Sequence, residues 1–138
     1  MYLTRTQFYE THLSLVNCIL PVKLTDREIQ VLAAFMALEF PKDKESFRFS
    51  TPSRRVVKKA QKLSDGGLTN YISNLVNKGF LHRDHPGMDA DIKILPSLLP
   101  SSDSQQDYKF RIINKDLIKH ITNGSEDSRL TTNHRSLL

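Results

Sequence analysis

Leu63-Ser64-Asp65-Gly66-Gly67-Leu68-Thr69-Asn70-Tyr71-Ile72-Ser73-Asn74-Leu75-Val76-Asn77-Lys78-Gly79-Phe80-Leu81 is the stretch on which the reading of the fold turns. Ser64-Asp65-Gly66-Gly67 has the composition of a turn. Leu68, Ile72, Leu75 and Val76 then recur at helical spacing, which predicts a helix from about Leu68 to Lys78 with that stripe buried. Thr69, Asn70, Ser73, Asn74 and Asn77 form its opposite face, polar and without charge. Gly79 suits the left-handed residue that ends a helix. Beyond it, Phe80-Leu81-His82-Arg83 reads as a strand, Asp84-His85-Pro86-Gly87 as a turn and Ile92-Lys93-Ile94-Leu95 as the returning strand.

Upstream, Thr51-Pro52 reads as an N-cap followed by proline at the first helical position, where the missing N–H costs nothing. The helix that follows, about 52 to 62, is expected to turn Val56, Ala60 and Leu63 inward and Arg54, Lys58 and Lys62 outward, with Arg55 and Lys59 beside them. Phe47-Arg48-Phe49 alternates like a short strand. Thr25-Asp26-Arg27-Glu28 is a capping box with Leu24 and Ile29 as its staple. It opens a helix that Pro41 ends, with Ile29, Leu32, Ala33, Met36 and Phe40 as its main stripe and enough further apolar residues to make it the central core helix. Thr4-Arg5-Thr6-Gln7 opens the first helix in the same way, with Leu3 and Phe8 at the staple positions. That helix is predicted over about 5 to 19 with the stripe Phe8, Leu15, Val16 and Ile19. Cys18, the single cysteine, lies between apolar neighbours and is expected to be a small core residue.

Downstream, Pro96 to Asp107 has linker composition, and Tyr108-Lys109-Phe110-Arg111-Ile112 alternates like a strand. A short helix near Lys115 to Ile121 follows, and residues 123–138, polar and aperiodic, are expected to be a disordered tail.

The order helix, short strand, helix, tight turn, helix, hairpin resembles a winged helix-turn-helix domain. Leu63 to Leu81 is similar to the recognition-helix region of MarR-type and phage replication-organiser-type proteins, in which a Leu-Ser turn precedes a polar helix and a Leu-Val-x-Lys-Gly-aromatic-Leu exit into the wing. Leu24-Thr25-Asp26-Arg27-Glu28-Ile29 likewise resembles the opening of the first core helix of such domains. The resemblance implies a winged helix over residues 22–95; with the flanking readings, an added N-terminal helix in 1–21 serving as dimer seam or lid and a strand and short-helix extension in 96–122, the expected fold is α+β and mainly α.

The 138 residues suit one domain and leave no room for a two-domain enzyme; 38% are hydrophobic and 25% charged, as in an ordinary globular chain. The longest apolar runs, Leu13 to Leu20 and Ile29 to Phe40, fall short of the roughly 20 residues a bilayer requires. The first residues lack a signal peptide's pattern, so the expectation is a cytoplasmic protein, in the host cytoplasm if viral, without a membrane partner. Residues 42 to 83 hold ten Lys and Arg against three acidic residues while the whole chain carries +5, so the middle third alone is cationic and the flanks are on balance acidic. Such a patch is an electrostatic footprint for a polyanion.

Arg54 and Arg55 are placed in the first turn of their helix, where cations oppose the macrodipole by about 0.3–1 kcal/mol each. A phosphate there would satisfy both the free amides and the guanidinium groups. Arg54, Arg55, Lys58, Lys59, Lys62, Lys78 and Arg83 are therefore expected to contact DNA phosphates. The polar face Thr69, Asn70, Ser73, Asn74 and Asn77 is expected to read bases, since Asn pairs bidentately with an adenine edge. The plainer alternatives are a solvated charged surface and a docking face. His82, His85, Asp89 and Asp91 lack metal-ligand spacing, and no nucleophile elbow, phosphate loop or cysteine–base pair is present, so no metal, cofactor or catalytic residue is expected. Two readings follow: a non-enzymatic double-stranded-DNA-binding protein of transcription regulation or replication initiation, as a monomer or homodimer, and alternatively a winged-helix adaptor docking onto a polymerase, replisome or virus-particle complex.

Overall fold

Thr25 sets how the central helix begins. Its hydroxyl accepts from the Glu28 amide at 3.2 Å and the Glu28 carboxylate accepts from the Thr25 amide at 2.8 Å, the capping box expected from the sequence. In the computed structural model, which describes residues 2–85 and 91–113, this helix, α2 (Asp26–Met36), leaves only Gln30 exposed between Glu28 and Met36. It stops at Met36, short of Pro41, because two guanidinium groups take the carbonyls at its end. Arg48 Nη1 donates to Phe35, Met36 and Leu38 at 2.7, 3.1 and 2.8 Å, and Arg5 Nε donates to Ala37 at 3.0 Å. Phe40 is half-buried beyond the helix, with Arg48 over its ring. Arg48 also grips Glu45 through two hydrogen bonds, and the expected strand at Phe47-Arg48-Phe49 is instead the end of a 3₁₀ turn, Lys42–Phe47. The alternation survives in burial only: Phe47 is 47% exposed, and Phe49 is buried with its ring 4.6 Å from that of Phe35.

The first helix, α1 (Arg5–Asn17), starts at the expected capping box on Thr4 and packs on α2 more extensively than any other described pair of elements. Its buried stripe is Tyr9, His12, Leu13 and Val16, one step round from the expected one; Phe8 and Leu15 are half-buried and Ile19 is 42% exposed. His12 can face inward because its Nε2 lies 2.8 Å from the Leu98 carbonyl, and since a carbonyl only accepts, Nε2 carries the proton. The same rotation puts Cys18 on the surface, so it is not a core residue. The Asn17 amide then closes the link to α2 by bonding both the N–H and the C=O of Leu24.

After the 3₁₀ turn come α3 (Thr51–Gln61), α4 (Asp65–Asn77), β1 (Leu81–Arg83) and β2 (Ile92–Ile94). The fold is α+β and mainly α. The two strands form an antiparallel pair with Leu81 opposite Ile94 and Arg83 opposite Ile92, as expected for the hairpin. A 3₁₀ turn, Pro96–Leu98, follows and sends Leu98 into the core beside His12. Gly79, at φ 85°, ends α4 with Phe80 N–H bonded to Leu75 and Gly79 N–H to Val76, the paired bonds of a Schellman cap.

The chain divides into two compact units, Met1–Leu99 and Pro100–Leu138. Of the second, residues 100–113 carry no helix or strand. The alternating segment Tyr108 to Ile112 is not a strand, since it has no ladder partner among the described residues; Phe110 is 71% and Ile112 96% exposed. The helix expected near 115–121 and the tail expected over 123–138 lie outside the described residues. No helix of the described residues is long and apolar enough to cross a membrane.

One ion pair ties the end of α4 to the start of α2. Lys78 Nζ donates to Glu28 Oε1 at 2.6 Å and to the Lys23 carbonyl at 3.1 Å, and the Glu28 side chain is only 3% exposed. Burial acts to raise the Glu28 carboxyl, but the hydrogen bonds from Lys78 and Thr25 and the charge of Lys78 together hold it below the ordinary glutamate range.

Two predictions follow from these buried groups. Lys78→Ala strands the Glu28 carboxylate and should cost about 3 kcal/mol of stability in urea unfolding. Burial lowers His12 below its ordinary 6.5, against the opposing effect of its bond to Leu98. The unfolded chain therefore binds the extra proton first as pH falls, and the contribution of His12, complete above about pH 6.5, is lost below it. His12→Gln keeps a donor but does not titrate, so its urea midpoint should fall less than the wild type's between pH 7 and pH 5.5.

Candidate nucleic-acid interface

Ser53 and Val57 are the buried residues of α3, and they fix its rotation. Val56, expected inside, is 55% exposed, and Ala60 is exposed as well; Leu63 alone of the expected set packs partly against the core. The reason is polar: the Ser53 hydroxyl donates to the Phe47 carbonyl at 2.6 Å, so a serine takes the inward position at the start of the helix, and Val57 follows it one turn later. The helix also begins one residue earlier than expected, with Ser50 as N-cap making no side-chain cap bond and no acidic residue in the first turn. Arg54 and Arg55 thus stand at the edge of the first turn rather than within it.

This rotation spreads the cations over an arc. Arg54 and Lys58, half-buried, lie on the flank that meets α4; Arg55 and Lys59 lie fully outward. Arg54 Nη2 donates to Thr69 Oγ1 at 3.0 Å, and Lys58 Nζ pairs with Asp65. The hydrogen bond and charge of Lys58, with Arg54 and Arg55 nearby, hold the Asp65 carboxyl below the usual range. The first turn of α4 therefore sits inside the field of the α3 cations. Arg55, Lys59 and Lys62 are exposed, and their side chains engage no hydrogen bond or ion pair among the described residues.

α4 starts three residues earlier than the sequence suggests. Ser64 caps it, accepting from Gly67 N–H at 3.0 Å, so Gly66 and Gly67 belong to its first turn. A Cβ on Gly67 would lie 3.1 Å from the Ser64 oxygen and so would press on the capping hydroxyl. Only Lys62, Leu63 and Ser64 separate the two helices. Lys62 takes the left-handed conformation at φ 55°, and Leu63 N–H reaches back to Lys58 at 2.9 Å. Leu68, Ile72 and Leu75 are buried and Val76 partly so, as expected. Asn70, Asn74 and Asn77 are exposed, Ser73 is half-buried, and Thr69 is exposed but bonded to Arg54.

The remaining expected contacts stand apart. Lys78 lies at the far end of α4, about 20 Å along the axis from Asp65, with its charge matched by Glu28. Arg83 is half-buried on β1. The hairpin is laced by His82–Asp84, Lys93–Asp84 and His85–Asp91 at 3.3, 2.9 and 2.8 Å, so its surface charge is mixed; Asp89 lies outside the described residues. Sequence reading missed the Arg54–Thr69 and Lys58–Asp65 bridges. The signal for the second was the spacing of seven residues across a tight turn. The chain matches no protein-family model, no curated protein and no solved structure.

The rotation of α3 is directly measurable. Val57→Ala should cost about 2 kcal/mol in chemical unfolding, whereas Val56→Ala should leave stability nearly unchanged; the reverse order would restore the rotation first expected.

Proposed function

We propose that this chain is a non-enzymatic, winged-helix DNA-binding protein that grips duplex phosphates through α3 and presents α4 to the major groove, in transcription regulation or replication initiation. The observation that carries the reading is the cationic arc Arg54, Arg55, Lys58, Lys59 and Lys62 joined to the neutral polar face of α4 by the Arg54–Thr69 bond. Phosphate contacts supply affinity and position, while uncharged groups read base edges. Three further features support it. The helices are joined by a turn of helix-turn-helix length, the α3 N-terminus has no side-chain cap or carboxylate, and a two-stranded hairpin follows α4 directly.

Within the arc, Arg55, Lys59 and Lys62 are the groups free to take phosphates without breaking an internal bond. Lys58 must give up Asp65 first, and Lys78 contributes to stability rather than to the interface. A salt series on duplex binding tests the proposal. Log affinity should fall steeply with log salt, and replacing Arg55, Lys59 and Lys62 together by Ala should flatten the slope by roughly 0.9 per lost contact. An unchanged slope removes this face from the interface, and a wild type with no duplex affinity moves the adaptor reading ahead.

A further inference from the structure

We infer that the proposed interface selects A·T base pairs, reading adenine in the major groove through the side-chain amides of Asn70, Asn74 and Asn77; this rests on the DNA-binding reading above. The three lie at i, i+4 and i+7 of α4, opposite the buried Leu68, Ile72 and Leu75, and all three are exposed. Among the described residues no hydrogen bond engages their side-chain amides, in contrast to Asn17, whose side-chain amide bonds both the C=O and the N–H of Leu24. Each therefore offers a donor and an acceptor side by side. That pattern matches adenine, which presents an N6 donor and an N7 acceptor in the major groove.

The rest of the helix argues the same way by exclusion. Guanine presents two acceptors, O6 and N7, and is read mainly by Arg or Lys. From Asp65 to Asn77 α4 has neither. Arg54, which reaches this helix from α3, is held on Thr69, Lys78 beyond its end is held on Glu28, and Asp65, which would accept from the cytosine amino group, is held by Lys58. At about 1.5 Å rise per residue, Asn70 and Asn77 are about 10 Å apart along the axis. That span equals about three base-pair steps of 3.4 Å, so the three amides address one run of consecutive pairs.

The test uses the full chain and three short duplexes of mixed base order, built from A·T, G·C and inosine·C pairs. Inosine·C matches G·C in the major groove and A·T in the minor groove, so it separates the two routes of recognition. By fluorescence anisotropy at fixed salt, A·T should bind roughly 5- to 100-fold tighter than G·C, with inosine·C as weak as G·C. Replacing Asn70, Asn74 and Asn77 with Ala should abolish the preference while keeping the salt slope. Equal binding of inosine·C and A·T, a preference that survives the three substitutions, or salt-dependent binding with no preference would each overturn the inference, the last leaving the DNA-binding reading intact. Failure to bind any duplex would overturn both. The inosine comparison needs only the wild-type chain, so the inference stays testable if the variant does not fold.

Discussion

The Glu28 carboxylate is the group on which the arrangement of the core depends. It accepts the Thr25 amide to start α2 and the Lys78 ammonium that ends α4, so one buried oxygen joins two helix termini fifty residues apart in sequence. A carboxylate 3% exposed is tolerated only with both partners in place, because desolvation penalises an uncompensated charge by several kcal/mol. Lys78 in turn reaches the Lys23 carbonyl, which brings the link between α1 and α2 into the same cluster. α4 cannot rotate or slide without breaking this set, and the surface face of Asn70, Asn74 and Asn77 is fixed as a consequence.

Helix ends account for much of the remaining polar chemistry. Arg5 and Arg48 close the C-terminus of α2, and Arg27, from α2 itself, donates to the Gln61 carbonyl at the end of α3 and to the Gln61 side chain at 2.7 Å. A guanidinium presents five donors in a fixed fork, which suits it to several converging carbonyls at once. The basic residues of the middle third therefore serve different ends, with Arg54 and Lys58 bonded to α4. Arg48 and Lys78 complete the interior, and Arg55, Lys59 and Lys62 face solvent. Net charge by segment does not distinguish these roles, and an electrostatic argument built on it overcounts the cations available to a partner.

His12 and Ser53 show why two helices were rotated relative to their sequence reading. Both are polar residues that periodicity assigns to the surface, and both are buried because a carbonyl distant in sequence or across a turn accepts from them, Leu98 for His12 and Phe47 for Ser53. Once those hydrogen bonds form, the burial penalty is removed. Tyr9 and Leu13 then face inward on α1 and Val57 on α3, while Ile19, Cys18 and Val56 turn out.

Local chemistry was enough to determine the capping boxes at Thr4 and Thr25, the glycine stop at Gly79, the buried stripe of α4 and the two strands of the hairpin, though not their register, because each rests on residues a few positions apart or on strict alternation. The sequence also placed the cationic and the uncharged polar faces on adjacent helices. Tertiary structure alone decided which cations stay free, where α2 stops, that Phe47 to Phe49 and Tyr108 to Ile112 form no strand, and which face of α1 and α3 is buried. The free cations, the end of α2 and the buried faces of α1 and α3 depend on carbonyls and carboxylates supplied from elsewhere in the chain. A buried polar group is stable only where such a partner arrives, and its arrival is a property of the fold rather than of the neighbouring residues.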